Sequence, residues 1–195
     1  MRLILATRNA HKTREFAQIL GAEFIVSDFS KLPAFAVVEE TGDTFEANAI
    51  IKAIAASRVV SELVVADDSG LVVTALDGEP GIRSARYAGE NASDRENVAK
   101  LLAELDARRG ENRDAYFCCV LALARNGETL AVFHGRVDGA ITNSPRGENG
   151  FGYDPVFVPT GFDQTFAELG DKTKNRMSHR ARAIAQLREY LLTTR

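Results

Sequence analysis

The sequence predicts a mixed α/β domain with a partly antiparallel sheet, and three observations carry that reading. Helical and strand patterns alternate through the opening of the chain. Asn126-Gly127, a strong two-residue hairpin signal, separates β-rich runs at 114–125 and 129–137. The composition, 45% hydrophobic and 26% charged over 195 residues, is that of an ordinary folded chain built as one domain or two intimate lobes. A purely doubly wound parallel sheet is disfavoured, because it offers no place for the hairpin.

Taken in order, the apolar run 2–6 reads as a first strand, and Asn9 caps a helix carrying Ala10, Phe16, Ala17 and Leu20 until Gly21 stops it. Phe24-Ile25-Val26 is a second strand, followed by a loop with Pro33 and an acidic cluster of Glu39, Glu40, Asp43 and Glu46. Asp43 and Glu46 have capping-box spacing, which opens a helix through Phe45, Ala49, Ile50, Ala53, Ile54 and Ala56. Leu63-Val64-Val65-Ala66 is a buried strand expected to end at Asp67-Asp68-Ser69-Gly70. Residues 71–76 with Asp77-Gly78 suggest strand and turn, and a helix from about Ser93 to Leu105 shows a stripe of Val98, Leu101, Leu102 and Leu105. A glycine-rich loop spans 147–152, and the final helix runs from Ser178 to Leu192.

Charge and composition exclude several classes. Lys+Arg is 24 and Asp+Glu is 27, a net charge of −3, which argues against a nucleic-acid surface spread over the molecule. The longest apolar runs, such as 115–124, fall far short of the ~20 residues of a membrane span. The opening residues lack the ~7–15-residue apolar core of a signal peptide. Adjacent Cys118 and Cys119 point to opposite faces of a strand and cannot pair, which fits a reducing cytoplasm. No histidine spacing suits a metal site.

Several residues sit where ordinary folding does not call for them. Lys12 lies in the first turn of its helix, where the macrodipole disfavours a cation; a bound anion, with Thr7, Asn9 and the free first-turn N–H groups as a cradle, would offset that cost. An exposed lysine that tolerates it is the plainer alternative. Lys52 falls on the inward stripe of Phe45, Ala49 and Ala56 and needs an anionic partner, either a structural carboxylate or a ligand phosphate. Glu39-Glu40 just upstream makes a joint Mg²⁺ and phosphate site coherent, since Mg²⁺ takes one or two carboxylates plus phosphate oxygens. Asp67 and Asp68 diverge from one strand, so one suits metal binding or proton transfer and the other a holding role. The alternative is an Asx-turn ending the strand. Phe151 or Tyr153 can stack on a base and Asp154 can accept from a ring N–H; a rigid turn with core aromatics explains them equally. Ser178-His179-Arg180, with Lys172, Lys174 and Arg176 nearby, again puts cations at a helix start.

Together, Thr7-Arg8-Asn9-Ala10-His11-Lys12, Glu39-Glu40-Thr41-Gly42 with Thr44-Phe45, Ala66-Asp67-Asp68-Ser69-Gly70-Leu71, Pro80-Gly81 with Ser84-Ala85-Arg86-Tyr87, Gly150-Phe151-Gly152-Tyr153-Asp154-Pro155 and Ser178-His179-Arg180 resemble the ordered motifs of the inosine triphosphatase family of non-canonical purine nucleoside triphosphate pyrophosphatases. The resemblance runs from residue 3 to about 190. It implies a single pyrophosphatase domain over 1–195, with a long, curved mixed sheet flanked by helices in two lobes around an active-site cleft. It also implies a Mg²⁺-dependent homodimer that cleaves dITP, ITP and XTP to monophosphate and pyrophosphate. Carried over by position, Thr7, Arg8, Asn9, Ala10, His11, Lys12, Lys52 and Ser69 would hold the phosphates, and Glu40, with Glu39, and Asp68 the metal. Asp68 also matches the family's proton acceptor. Phe151, Gly152, Tyr153, Asp154, Lys174, His179 and Arg180 would hold the nucleoside, His179 and Arg180 as donors to a 6-keto group that adenine lacks. Two departures stand out: Ala47 precedes Asn48 where the family commonly has Glu, which would lower Mg²⁺ affinity, and Arg8 replaces a common glycine.

Overall fold

The protein is described as a computed structural model covering residues 1–31, 38–108 and 112–194. The loop expected around Pro33 lies outside the described residues. In chain order the elements are β1 (Arg2–Leu5), α1 (Ala10–Leu20), β2 (Ile25–Asp28), α2 (Phe45–Ser57), β3 (Leu63–Val73), α3 (Asp94–Ala107), β4 (Asp114–Arg125), β5 (Glu128–Ile141), β6 (Phe157–Pro159), α4 (Phe166–Met177) and α5 (His179–Thr193). The strands form one mixed six-stranded sheet in the order β2-β1-β3-β4-β5-β6. β1 is parallel to both β2 and β3, as the early helix connections require, whereas β5 and β6 are antiparallel. Asn126 and Gly127 form the two-residue turn joining β4 to β5, both with left-handed φ (53° and 83°), the shape that matches strand twist. The predicted mixed α/β class with a hairpin therefore holds.

The chain divides into two compact units. The first comprises Met1–Asp68, Cys119–Gly135 and the chain from Arg180 onward. Its core joins Leu3 and Leu5 of β1, Phe16 and Leu20 of α1, Val65 of β3, Leu121 and Leu123 of β4, and Ile184, Leu187 and Leu191 of α5. The second comprises Ser69–Cys118 and Arg136–His179. There Leu71, Val98, Leu101, Leu105, Val137 and Val156 surround an aromatic cluster in which the Phe117 and Phe157 rings meet edge-on, centroids 4.7 Å apart. Among the described residues no helix is long and apolar enough to cross a membrane.

Two expectations are corrected, and two elements are added. The cap of α2 is Thr44, whose side chain accepts from the Ala47 amide, so the Asp43–Glu46 capping box does not form. β3 does not end at Asp67 but continues to Val73, because both carboxylates find cationic partners and need not break the ladder to reach water. Residues 157–159 add a sixth strand, and 166–177 form α4. α4 opens on a Thr165–Glu168 capping box and breaks at Gly170, whose φ of 74° and ψ of 162° are not helical.

Candidate active site

In the first unit, α1 begins where Asn9 folds its side chain over the first turn, Oδ1 accepting from the amides of His11 (2.9 Å) and Lys12 (3.3 Å). Two of the amides that the sequence offered to an anion are thus already capped. Thr7 Oγ1 accepts from the Asn9 amide, while Arg8, Asn9, Ala10 and His11 are exposed. Lys12, half-buried on the next step of the helix, donates its ammonium to Asp67 Oδ1.

Asp67 and Asp68 separate as adjacent strand side chains must. Asp67 is fully buried: besides Lys12 it accepts from Arg180 Nε (2.8 Å) and the Cys119 thiol (3.4 Å) at Oδ2. Arg180 in turn donates through Nη1 to Glu15 Oε2 at 2.5 Å. Burial pushes the Asp67 carboxyl up, but Arg180 and Lys12 together outweigh it and hold the group well below the usual carboxylate range. The two cations and two carboxylates of this cluster balance.

Asp68 belongs to a second cluster. Lys52 from α2 donates to Asp68 Oδ1 (2.7 Å), Glu40 Oε1 (2.9 Å) and the Asp67 carbonyl (2.9 Å), which accounts for all three ammonium protons. Two carboxylates share one lysine. Burial, with Glu40 adding to it, raises the Asp68 carboxyl despite Lys52. Burial depresses Lys52, yet Asp68 and Glu40 more than reverse this and keep it charged. Asp68 Oδ2 is buried with no hydrogen-bond partner. An orphaned carboxylate oxygen in a cluster with a second carboxylate fits a divalent cation. Among the described residues no three His, Cys, Asp or Glu side chains gather into a cage, and Mg²⁺ does not need one. Of the two candidate ligands in the loop, Glu40 is tied to the cluster and Glu39 is exposed.

The second unit builds a different surface from the 147–152 loop. Asp154 Oδ2 accepts from the Phe151 amide (2.8 Å) and from Lys174 Nζ (2.6 Å), both members of the ion pair being almost fully buried. Lys174 Nζ lies 4.6 Å from the centroid of the Phe151 ring. The Asp154 carboxylate therefore meets protein donors where the sequence assigned it a base N–H. Its reach depends on Gly150, which has φ 80° and whose added Cβ would lie 2.1 Å from Asp154 Oδ2. Gly150→Ala combines that clash with a strained φ, so a loss above ~1 kcal/mol and a fall in Tm of more than ~2–4 °C are expected in thermal unfolding.

Phe151 is half-buried and is the aromatic suited to a planar ligand; Tyr153 is in the core with its hydroxyl donating to the Ser84 carbonyl at 2.8 Å. Gly152 is half-buried beside Phe151, and Ser69 is half-buried just past Asp68. The His179 ring stacks on Phe117 with centroids 4.7 Å apart. Sequence reasoning missed Glu15, Cys119 and Asp94. Glu15 had a signal, three residues after Lys12 on the same helix face. Cys119 and Asp94, which accepts from the Gly152 amide, had none that separates them from ordinary strand and helix-start residues.

A model of the Ham1 family matches residues 3–190. A dITP/XTP pyrophosphatase of Geobacter sulfurreducens is 50% identical over 191 residues, 97% of this chain and 96% of that protein. The structure of the Staphylococcus aureus Ham1 protein superposes with a TM-score of 0.88 at 44% identity, covering all of both chains. That of a HAM1 protein from Coxiella burnetii gives 0.89 at 41% identity over 99% of each.

Proposed function

The chain belongs to the Ham1 family, and from that premise we propose that it hydrolyses non-canonical purine nucleoside triphosphates, dITP, ITP and XTP, to the monophosphate and pyrophosphate. The carrying observation is the cluster of Lys52, Glu40 and Asp68, with its buried, unpartnered Asp68 Oδ2.

Glu40 and Asp68 would hold Mg²⁺. When bound, the ion neutralises charge on the phosphate oxygens and completes a positively charged setting for the leaving group. Lys12 and Lys52 supply cations from the protein, and Thr7, Arg8, Asn9, Ala10, His11 and Ser69 line the phosphates. Water attacks the α-phosphorus, its oxygen forming the new bond as the bond to the bridging α–β oxygen breaks. Asp68 orients that water and takes its proton, and pyrophosphate leaves. Phe151 stacks on the base, with Gly152, Tyr153, Asp154 and Lys174 shaping its seat, and His179 and Arg180 donate to the 6-keto oxygen. Sedimentation is expected to show a homodimer. That neither Cys118 nor Cys119 is in a disulfide is consistent with a cytoplasmic setting.

Incubation with dITP and Mg²⁺ should release pyrophosphate, with dATP, dGTP and dTTP turned over far more slowly. Release of orthophosphate instead, or equal rates on all four, would overturn the reading. Lys52→Met tests the cation. The sequence alone left its partner open; with Lys52 bridging two carboxylates, the substitution leaves both uncompensated. A loss of about 1–3 kcal/mol is expected, below the ~3–5 of a fully buried pair because Glu40 keeps some solvent contact. Triphosphate affinity, measured by calorimetry, should fall with it.

A further inference from the structure

We propose that Asp94 is a positioning residue for the nucleoside, holding the 151–152 backbone from the start of α3. The inference rests on the reading that Phe151 meets the base. Asp94 Oδ2 accepts from the Gly152 amide at 2.6 Å, and Asp154 Oδ2 accepts from the Phe151 amide at 2.8 Å. Two consecutive amides are thus held by two carboxylates from different elements. They are the N–H groups on either side of the Phe151 α-carbon, so together they fix the backbone that aims its ring.

Packing does not do this work at Gly152. Its φ is 61°, and a Cβ built there would meet no atom within 4 Å. A charge-assisted hydrogen bond is the stronger kind of tether for such a residue. The Asp94 carboxylate is also not needed to start its own helix. Ser93 Oγ accepts from the Glu96 amide and the Glu96 side chain accepts from the Ser93 amide, so α3 is capped without it. The helix is a firm post: Val98, Leu101 and Leu105 are buried, and the Asn97 side chain bonds the Ala88 amide and the Ala85 carbonyl. A loop ordered before binding loses less freedom when the base arrives, and that saving appears as affinity.

Asp94→Ala is expected to weaken dIMP binding in calorimetry by ~5–10-fold, the scale of ordering one loop segment. KM for dITP should rise by the same factor, with kcat within about twofold because the reacting atoms are untouched. Binding of inorganic tripolyphosphate should not change. Asp94→Asn, whose Oδ1 can still accept from Gly152, should recover most of the affinity. Ser93→Ala removes the helix cap without touching the loop, so it should lower Tm and leave dIMP affinity intact. Phe151→Ala calibrates the nucleoside reading and should weaken dIMP binding. If Phe151→Ala weakens it and Asp94→Ala does not, the positioning role fails while the nucleoside reading stands. If neither variant weakens it, the nucleoside reading fails first and takes the proposal with it. Equal weakening by Ser93→Ala and Asp94→Ala, or a parallel loss of tripolyphosphate binding, would show general loosening of α3 and overturn the proposal.

Discussion

Asp68→Asn is expected to lower kcat for dITP by ~10²-fold or more while the protein stays folded. The substitution keeps the shape of the side chain and an oxygen that can accept from Lys52, so the hydrogen bond from α2 survives. It removes the basic, negatively charged oxygen that receives the proton. Stability should hold or rise, because the folded protein currently carries two carboxylates against one lysine and leaves Asp68 Oδ2 buried without a partner. The signature is a split result in which turnover collapses and the thermal midpoint does not fall, the pattern of a residue kept at a cost to stability. Near-wild-type turnover at saturating Mg²⁺ would remove Asp68 from proton transfer. A collapse of the midpoint would mean that its charge holds the fold.

Arg180→Ala should have the opposite signature in stability. Arg180 is one of the largest fully buried side chains and bonds both Asp67 and Glu15, with burial opposing its charge and the two carboxylates more than restoring it. Truncation takes the guanidinium away from a buried carboxylate that Lys12 and the Cys119 thiol also face, and breaking a buried pair in this way costs ~3–5 kcal/mol. Chemical denaturation should register the loss, and Asp67→Asn in the same chain should recover part of it. Measured where the variant remains folded, kcat/KM for ITP is expected to fall more than that for ATP if the proposed donor to the 6-keto group is lost with the side chain. Equal losses for both nucleotides would confine Arg180 to the buried cluster.

The class of the fold was legible because its signals are local. A two-residue turn needing left-handed φ at both positions leaves Asn-Gly in the sequence, and an apolar stripe with a capping serine leaves α3. α4 was not legible: Gly170 interrupts it, and Phe166-Ala167-Glu168-Leu169 is too short an apolar start to show periodicity, although its Thr-x-x-Glu cap was there to be read. The site was half legible. Lys12 and Lys52 stood out as cations where the local chain does not welcome them, and Asp67-Asp68 as acids after an apolar strand. Which carboxylate met which cation was hidden, because the partners lie 55 residues apart for Lys12 and Asp67 and 113 for Arg180 and Asp67. The same distance explains the misplaced end of β3. Two acids read as a strand terminus unless the distant cations that let them stay inside are known.

β3 gains a safeguard from carrying its two acids side by side. Aliphatic strands tolerate a shift of pairing by two positions, since valine replaces leucine on the same face at modest cost. Here a slip of one would turn Asp67 toward the side of Lys52 and Asp68 toward the side of Arg180, and a slip of two would present Val65-Ala66 or Ser69-Gly70 to buried ammonium and guanidinium groups. Either error leaves charge stranded in the interior. The alignment of β3 on β1, Leu3 against Leu63 and Leu5 against Val65, is thereby proofread by electrostatics as well as by hydrophobic fit. The proposed proton acceptor, Asp68, and its buried neighbour Asp67 thus also guard the register of the strand that carries them.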